Sequence, residues 1–217
     1  MALAIFDLDN TLLDGDSDYL WGQFLARQGL VDGDWYEQEN QRFYDEYKAG
    51  TLDILEFLEF SLRPLSENNT EKLAQLHQQF MDDCIRPIIT VASRNKIAEH
   101  AKRGDILLII TATNKFITGP IAEELGIENI LATDPEFIDG QYTGKVSGTP
   151  CFREGKVERL DEWLRLNGLN LVDSYFYSDS HNDLPLLERV SKPVAVDPDE
   201  TLQQHAQMKG WEIISLK

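Results

Sequence analysis

The chain has 217 residues, 42% of them hydrophobic, and its 20 basic and 38 acidic side chains give a formal charge of −18 at pH 7. This composition supports one large core, and the acidic charge argues against nucleic acid or an anionic membrane as a partner, because phosphate attracts basic patches. The charge is typical of a solvated acidic surface, and it also suits an acidic cleft that attracts a cationic ligand. Its two cysteines, Cys84 and Cys151, form neither a disulfide framework nor a Cys-x-x-Cys motif. With no signal peptide and no run of roughly 20 apolar residues, the sequence predicts a cytoplasmic protein.

Short apolar runs predict the strands of a buried sheet. The first two, residues 3–6 and 106–110, are continuous rather than alternating, as is typical of parallel strands covered on both faces. Two helical patterns, 116–125 and 157–166, lie between the runs, and a glycine follows each of them closely. This alternation predicts an α/β fold with a doubly wound parallel sheet. The further predicted strands are 129–132, 174–177, 193–196 and 211–214.

Residues 15–87 break this alternation, because their pattern is helical throughout. Aromatic residues recur there at helical spacing, which is typical of the packed interior of a helical module. They are Tyr19, Trp21, Phe24, Trp35, Tyr36, Phe43, Tyr44 and Tyr47. We therefore predict an all-helical domain of residues 15–87 over the strand ends, inserted into an α/β domain of residues 1–14 and 88–217. In the second domain, Asp139-Gly140 between two short apolar runs predicts a β-hairpin.

Two aspartates follow the first predicted strand. Residues 4–13 read Ala-Ile-Phe-Asp-Leu-Asp-Asn-Thr-Leu-Leu, so a single residue separates Asp7 from Asp9. In an extended backbone, positions two apart share one face, and a buried carboxylate is costly unless it is paired or bound to metal. Two such charges close together favour a cation between them or a shared proton. The pair therefore indicates a functional site at this strand end.

Polar side chains also follow two later strands. Residues 111–114 read Thr-Ala-Thr-Asn, residues 178–183 read Ser-Asp-Ser-His-Asn-Asp, and Lys156 lies at the start of a predicted helix. In an open parallel sheet, ligands bind beyond the carboxyl ends of the strands, and a helix start there can hold phosphate. Carboxylates suit Mg²⁺, which completes its shell with water and substrate phosphate, while a lysine can steady phosphate oxygens. The pattern therefore indicates a site for a phosphorylated ligand.

These motifs resemble those of the haloacid dehalogenase-like superfamily, and the resemblance covers nearly the whole chain. Residues 7–11, Asp-Leu-Asp-Asn-Thr, match the first motif, Thr111 the second, Lys156 the third and residues 178–183 the fourth. The helical insert after the first motif has the placement of a type I cap on a Rossmann-like core. The run 152–159 is similar to subfamily IB, the phosphoserine-phosphatase-like branch, which includes histidinol-phosphatases of amino-acid biosynthesis.

The resemblance implies a Mg²⁺-dependent phosphatase that acts on a small phosphate monoester. Asp7 would be the nucleophile that forms an aspartyl-phosphate, and Asp9 would protonate the leaving group and then activate water. Mg²⁺ would bind Asp7, Asp179 and the backbone carbonyl of Asp9. Phosphoryl oxygens would be bound by Thr111, Ala112 and Lys156, with Asp183, Asn182 and Asn114 in supporting positions.

The predicted cap carries the candidate substrate residues. Asp16 falls where phosphoserine phosphatases carry the acidic residue that holds the substrate ammonium, and Glu56 and Glu59 fall where their carboxylate-binding arginine belongs. Arg63 is the next arginine along the chain. Acidic residues repel a substrate carboxylate and suit histidinol phosphate, which carries an amine and an imidazole. The acidic residues in and beside the predicted cap are Asp14, Asp16, Asp18, Glu56 and Glu59. The sequence thus favours histidinol phosphate as substrate; phosphoserine hydrolysis, phosphotransfer to another acceptor and ligand binding without turnover are the alternatives.

Overall fold

Seven strands form one sheet within residues 2–217, the part of the chain that the computed structural model describes. They are β1 (Leu3–Phe6), β2 (Ile106–Asn114), β3 (Asn129–Ile138), β4 (Gln141–Ser147), β5 (Ser174–Ser178), β6 (Lys192–Val196) and β7 (Glu212–Ile214). Their order across the sheet is β4-β3-β2-β1-β5-β6-β7. Neighbouring strands are parallel except β3 and β4, which form an antiparallel hairpin. The first strand of the chain is therefore the central one.

The chain between β1 and β2 is helical, as the sequence predicts. It forms α1 (Ser17–Arg27), α2 (Gly33–Ala49), α3 (Ile54–Ser66), α4 (Thr70–Phe80), a π-helical turn (Met81–Ile85), a 3₁₀ turn (Arg86–Ile88) and α5 (Val91–Lys102). Each of α1 to α4 begins after an Asp or Asn whose side chain accepts a hydrogen bond from a backbone N–H of the first turn. Such caps satisfy donors that have no partner inside the helix, so the sequence marks where each helix starts.

The remaining helices lie on the two faces of the sheet. They are α6 (Lys115–Leu125), α7 (Glu154–Asn167), α8 (Leu184–Leu187) and α9 (Glu200–Lys209). Ala4 and Phe6 of β1 pack in one apolar cluster with α1, α5 and α6, whereas Leu3 and Ile5 pack in another with α7, α8 and α9. Successive strand residues thus point to opposite covered faces, which confirms the predicted doubly wound α/β fold. Across residues 2–217, every helix is too short or too polar to cross a bilayer.

Two strands extend beyond their predicted ends. After a bulge, β2 continues to Asn114, which pairs with Thr133 of β3, and β3 continues far enough to pair with β4. Pairing with a neighbour, rather than the apolar run itself, therefore sets the length of these strands. The hairpin turn lies at Asp139 and Gly140, where both φ angles are positive, 50° and 81°. Asp-Gly is the dipeptide that tolerates such a turn, so the predicted hairpin is confirmed.

The two ends of the helical segment lie next to each other beside the sheet. Leu13 and Ile89 pair in an isolated antiparallel bridge, and the backbone N–H of Asp14 donates to the carbonyl of Ile88 at 2.8 Å. The segment does not have a fully separate interior, because Trp21 and Phe24 of α1 are buried in the same apolar cluster as Phe6 and Ile117. Aromatic residues that the sequence predicts to pack inside a helical module thus also join it to the sheet.

A buried histidine links α5 to the sheet. The His100 side chain is fully buried; its Nδ1 lies 2.9 Å from a carboxylate oxygen of Asp105, and its Nε2 lies 2.8 Å from the hydroxyl of Tyr177. A neutral imidazole that donates to Asp105 and accepts from Tyr177 satisfies both contacts. Burial lowers the pKa of His100 below its ordinary value, and the Asp105 carboxylate opposes this only in part.

Replacement of His100 should therefore change how stability depends on pH. As pH falls below about 6.5, the unfolded chain binds a proton at His100 before the folded protein does, so the free energy of unfolding decreases. His100→Gln should be less stable than wild type at pH 7.5 and should lose less stability between pH 7 and pH 5. Urea denaturation across this range measures both effects. If the free energy of unfolding of the variant changed with pH as steeply as that of the wild type, His100 would not be the group responsible.

Candidate active site

The carboxyl ends of β1, β2 and β5 bring the predicted site residues together at one edge of the sheet. Asp7 directly follows β1, and its backbone N–H donates to the carbonyl of Tyr177 in β5 at 2.9 Å. Thr111 lies near the end of β2, on the strand that pairs with the other side of β1. The residues that follow β5 lead to Asp179 and Asp183. Segments more than 100 residues apart in the sequence thus meet at the end of the central strand.

A lysine lies between two carboxylates at the centre of this edge. Lys156 Nζ is 2.7 Å from Oδ1 of Asp7 and 2.9 Å from Oδ2 of Asp183, and all three side chains are buried. Ser178 Oγ also donates to Asp183, at 2.6 Å. Burial alone would lower the pKa of Lys156, but Asp183 and Asp7 together raise it well above its ordinary value. The two carboxylates thus favour the cationic form of Lys156, which is oriented by Asp183 and in contact with Asp7.

The second oxygen of Asp7 faces another carboxylate. The hydroxyl of Thr11 lies 3.4 Å from Oδ2 of Asp7 and 3.3 Å from Oδ1 of Asp179, and its single proton can serve only one of them. Burial raises the pKa of Asp7 to about 7, with Lys156 opposing this effect and Asp183 and Asp9 adding to it. Burial likewise raises the pKa of Asp179 well above its usual range, and Asp7 and Asp183 raise it further. This pair of acids has an excess of negative charge that a cation would relieve.

Asp9 has a different environment. Its Oδ1 accepts a 2.6 Å hydrogen bond from the backbone N–H of Ser17, and its Oδ2 accepts one from Thr113 Oγ1 at 2.8 Å. Thr111 Oγ1 lies farther away, at 3.5 Å from Oδ2. The carboxylate is thus held by neutral donors of α1 and β2, and it forms no ion pair within residues 2–217. Thr113 was missed in the sequence, although its position two residues after Thr111 puts both hydroxyls on one face of β2.

Arg153 is a second residue that the motifs did not reveal. Its φ of 48° and ψ of −117° fit the first central position of a type II′ turn, which favours glycine, and the N–H of Gly155 closes this turn on the carbonyl of Phe152 at 2.8 Å. The guanidinium donates to Asn182 Oδ1 at 2.8 Å and to the carbonyl of Gly50 at 2.5 Å. Asn182 in turn donates to the carbonyl of Tyr47 at 3.0 Å.

These hydrogen bonds join the end of α2 to two loops of the sheet domain. One loop precedes Lys156 and the other precedes Asp183, so the link lies directly beside the buried charges. A strained backbone at a non-glycine residue costs on the order of 1–3 kcal/mol and persists only where the surroundings enforce it. We infer that the side-chain contacts of Arg153 compensate for the strain of its backbone.

A cavity opens from this edge of the sheet toward α1, α2 and α3. Four carboxylates line it, those of Asp7, Asp9, Asp16 and Asp18, and within residues 2–217 no Lys, Arg or His side chain does. Much of the remaining wall is aromatic, and β2 contributes its polar end. These residues are Tyr19, Phe43, Tyr44, Tyr47, Phe57, Phe152, Thr111, Ala112 and Thr113. The cavity thus joins Asp7 to an acidic and aromatic chamber.

The candidate substrate residues separate into two groups. Asp16 lines the cavity and also caps α1, where it accepts a hydrogen bond from the N–H of Tyr19 at 2.9 Å. Glu56, Glu59 and Arg63 lie outside the cavity lining on exposed positions of α3. Glu56 is paired at 2.8 Å with Arg42, which also contacts Glu39 and Glu46 on the surface of the helices. We therefore leave these three out of the substrate site.

Arg63 and Asn114 have structural partners of their own. Arg63 pairs with Glu67 at 3.2 Å and lies over the ring of Trp35, which directs it along the outer surface of the helices. Asn114 is buried and caps α6, where its side chain accepts from the N–H of Ile117 at 3.3 Å. It orients the helix that follows β2.

Two replacements of Arg153 should separate its hydrogen bonds from its backbone strain. Arg153→Ala loses the guanidinium and keeps the strain, so the free energy of unfolding should fall by about 2–3 kcal/mol. Arg153→Gly loses the same contacts but adopts a positive φ freely, so its loss should be about 1 kcal/mol smaller. Urea denaturation measures both values. Arg165→Ala, on an exposed position of α7, is the control, and equal stability of all three variants would contradict the role of Arg153.

The sequence and structure are similar to known proteins over almost the whole chain. The sequence model of the haloacid dehalogenase-like hydrolase family matches residues 4–188. A histidinol-phosphatase of Neisseria meningitidis serogroup C is 48% identical over 219 residues, covering 99% of each chain. A phosphoserine phosphatase of Mycobacterium tuberculosis is 32% identical over 98% of this chain and 70% of its own length. A crystal structure from Bordetella pertussis Tohama I, of a protein with unknown function, has a TM-score of 0.94 and 46% identity, covering 100% of this chain and 99% of that one.

These similarities agree with the resemblance predicted from the four motifs. The family match includes the residues after β1, β2 and β5 and the lysine of α7, and the similar sequences extend through the helical segment as well. The chain therefore belongs to the haloacid dehalogenase-like hydrolase family.

Proposed function

We propose that this hydrolase is a phosphatase that cleaves histidinol phosphate through an aspartyl-phosphate at Asp7. The observation that carries this proposal is the chemistry of the cavity, whose wall is acidic and aromatic and, within residues 2–217, has no basic side chain. Histidinol phosphate carries an amine and an imidazole and no carboxylate, so such a wall attracts it. The Neisseria meningitidis relative, which is 48% identical, is named a histidinol-phosphatase, and this supports the same substrate.

In the first step, an oxygen of Asp7 attacks the phosphorus of the monoester. A bond forms between that oxygen and phosphorus, and the bond between phosphorus and the alcohol oxygen breaks. Asp9 donates a proton to the departing oxygen, which leaves as the free alcohol. The two aspartates differ in their surroundings: Lys156 contacts Asp7 at 2.7 Å, whereas neutral donors hold Asp9.

In the second step, water hydrolyses the aspartyl-phosphate. Asp9, now ionised, removes a proton from the water, whose oxygen bonds to phosphorus while the bond to Asp7 breaks. Inorganic phosphate and the original Asp7 carboxylate result, and Asp9 is protonated again. The hydrogen bonds from Ser17 and Thr113 keep the Asp9 carboxylate in one orientation for both proton transfers.

Phosphoryl oxygens are bound by groups at the ends of β2 and α7. Thr111 and Ala112 line the cavity beside Asp7, and Lys156 contacts the Asp7 carboxylate directly. Lys156 lowers the repulsion between that carboxylate and a phosphate dianion, and it stabilises the charge on the equatorial oxygens in the transition state. Asp183 holds the lysine in position at 2.9 Å. The neighbouring Asn182 accepts a hydrogen bond from Arg153.

The same edge suits a Mg²⁺ ion by the chemistry of its donors. Asp7 and Asp179 both face the Thr11 hydroxyl, and Asp179 forms no ion pair within residues 2–217. Within residues 2–217, no cluster of three or more His, Cys, Asp or Glu side chains has the geometry of a metal site. Mg²⁺ usually takes one or two carboxylates, so Asp7, Asp179 and the carbonyl of Asp9 suffice with water and phosphate. When bound, the ion neutralises charge on the phosphoryl group.

We also propose that residues 15–87 are a substrate-selecting cap on a catalytic core of residues 1–14 and 88–217. The bridge between Leu13 and Ile89 supports this division, because it closes the insert at its base. The cap supplies Asp16 and most of the aromatic wall, while the core supplies Asp7 and Lys156. Chemistry and substrate choice thus reside in different parts of the chain.

Phosphoserine is the second candidate substrate, favoured by the name of the relative at 32% identity. Its ammonium would suit Asp16, but its carboxylate would meet an acidic wall. Within residues 2–217 the cavity lining offers that carboxylate no arginine, since Arg63 lies on the outer surface. Repulsion between like charges therefore disfavours phosphoserine.

A panel of phosphate monoesters tests the proposed substrate. With Mg²⁺, kcat/KM for histidinol phosphate should exceed that for phosphoserine by at least about 100-fold. The acidic wall attracts the amine and imidazole of histidinol phosphate, whereas it repels the carboxylate of phosphoserine. Release of inorganic phosphate measures both rates. Excess EDTA should abolish turnover and added Mg²⁺ should restore it. Faster hydrolysis of phosphoserine would overturn the proposal.

Two variants test the division of roles between the aspartates. Asp9→Asn should reduce turnover of histidinol phosphate by about 10²–10⁴-fold, because the alcohol leaves without a proton. The nitrophenolate of p-nitrophenyl phosphate leaves without protonation, so this variant should release one equivalent in a burst and then stall as aspartyl-phosphate. Stopped-flow absorbance records the burst. Asp7→Asn should give neither burst nor turnover, and wild-type activity in that variant would show that Asp7 is not the nucleophile.

A further inference from the structure

Asp18 is a buried carboxylate without a partner. It lies in the first turn of α1, lines the cavity and is 8% exposed. Within residues 2–217 its side chain accepts no hydrogen bond and forms no ion pair, whereas Asp16 accepts the N–H of Tyr19 at 2.9 Å and thereby caps the helix. Of the two cap carboxylates in the cavity, Asp16 thus has a structural contact and Asp18 has none.

Such a placement is unfavourable for the folded protein by itself. A buried carboxylate without a partner costs free energy, and Asp16 and Asp9 are further negative charges nearby. Burial accordingly raises the pKa of Asp18 well above its usual range, and these two neighbours add to the effect. A positively charged group of a ligand in the cavity would relieve this cost.

The wall around Asp18 also suits a positively charged nitrogen. Asn40 of α2 is buried and lines the same cavity; its Nδ2 donates to the carbonyl of Tyr19 at 2.9 Å, and its Oδ1 has no hydrogen bond within residues 2–217. Tyr19 adds an aromatic ring, which attracts cations, whereas the ring of Tyr44 already has Lys48 Nζ 4.3 Å from its centroid. The wall therefore combines a free carboxylate, a free amide oxygen and aromatic surface.

We infer that Asp18 determines substrate specificity by pairing with the positively charged nitrogen of the substrate, with Asn40 as a second acceptor and Asp16 as the cap of α1. The nature of the substrate rests on the proposed function, whereas the role of Asp18 concerns any amine-bearing monoester. A carboxylate in this place rejects phosphorylated acids and selects phosphorylated amines.

The chain contains a matched control for Asp18. Asp34 lies in the first turn of α2, two residues after the capping Asp32, just as Asp18 lies two residues after the capping Asp16. Asp34 is exposed and outside the cavity lining. Asp18→Asn and Asp34→Asn therefore remove the same charge from equivalent helix positions, and only one of them changes the cavity.

Inhibition by histidinol tests the pairing without requiring its phosphate ester to be a substrate. Histidinol should inhibit wild-type hydrolysis of p-nitrophenyl phosphate competitively, and Asp18→Asn should raise its inhibition constant by about 100-fold, the usual loss for a desolvated charge pair. Asp34→Asn should stay within about twofold of wild type. No inhibition of the wild type, or less than a threefold change in Asp18→Asn, would overturn the inference.

Thermal unfolding distinguishes a binding role from a structural one. Without ligand, Asp18→Asn should melt about 2 °C or more above wild type, because it removes an uncompensated charge. Histidinol should raise the melting temperature of the wild type more than that of Asp18→Asn. A lower melting temperature of ligand-free Asp18→Asn would assign Asp18 a structural role and overturn the inference.

These outcomes differ from a failure of the proposed function. A wild-type enzyme that binds histidinol through Asp18 but does not hydrolyse histidinol phosphate would refute that substrate and leave the role of Asp18 intact. Efficient hydrolysis of histidinol phosphate by both wild type and Asp18→Asn would confirm the substrate and refute the role of Asp18.

Discussion

The contact on which the site depends is the one between Lys156 and the carboxylates of Asp7 and Asp183. All three groups are buried, so each charge has lost its hydration. Lys156 is stabilised by both carboxylates, and each carboxylate is stabilised by Lys156. Removal of Lys156 would leave two buried carboxylates uncompensated and destabilise the fold by about 3–5 kcal/mol. Because these residues come from β1, α7 and the loop after β5, the contact also fixes the relative positions of these elements. The carboxylate of Asp7, the proposed nucleophile, is thus part of what holds the sheet edge together.

The different surroundings of Asp7 and Asp9 arise in the irregular segment that follows β1. Asp7 directs its oxygens toward a lysine and a threonine at the buried centre, whereas Asp9 turns toward the start of α1 and the hydroxyl of Thr113. Charge surrounds the first, and neutral hydrogen-bond donors surround the second. Two identical side chains acquire separate proposed roles through environment alone, a recurrent solution in acid–base catalysis.

Sequence patterns predicted the class of fold and the residues that meet at the sheet edge, because strand ends and helix caps are local signals. Sequence patterns could not predict contacts between segments that are distant in the chain. Arg153 precedes the motif lysine with no local sign that it reaches Gly50, and Asp18 differs from Asp16 only in lacking a partner. The prediction that Glu56 belongs to the substrate site rested on counting residues, which cannot show the face of α3 that it occupies. Its pairing with Arg42 depends on how α2 and α3 pack.

The central position of β1 has a consequence for how the protein is made. This strand is synthesised first, yet one of its neighbours begins at Ile106 and the other at Ser174. During translation its apolar residues therefore have no neighbouring strand to pair with until about half of the chain has been made. Contacts of such long sequence separation slow folding and leave intermediates exposed to aggregation. The helices between β1 and β2 are built from local contacts, so we expect them to form first and to cover the apolar residues of the nascent strand.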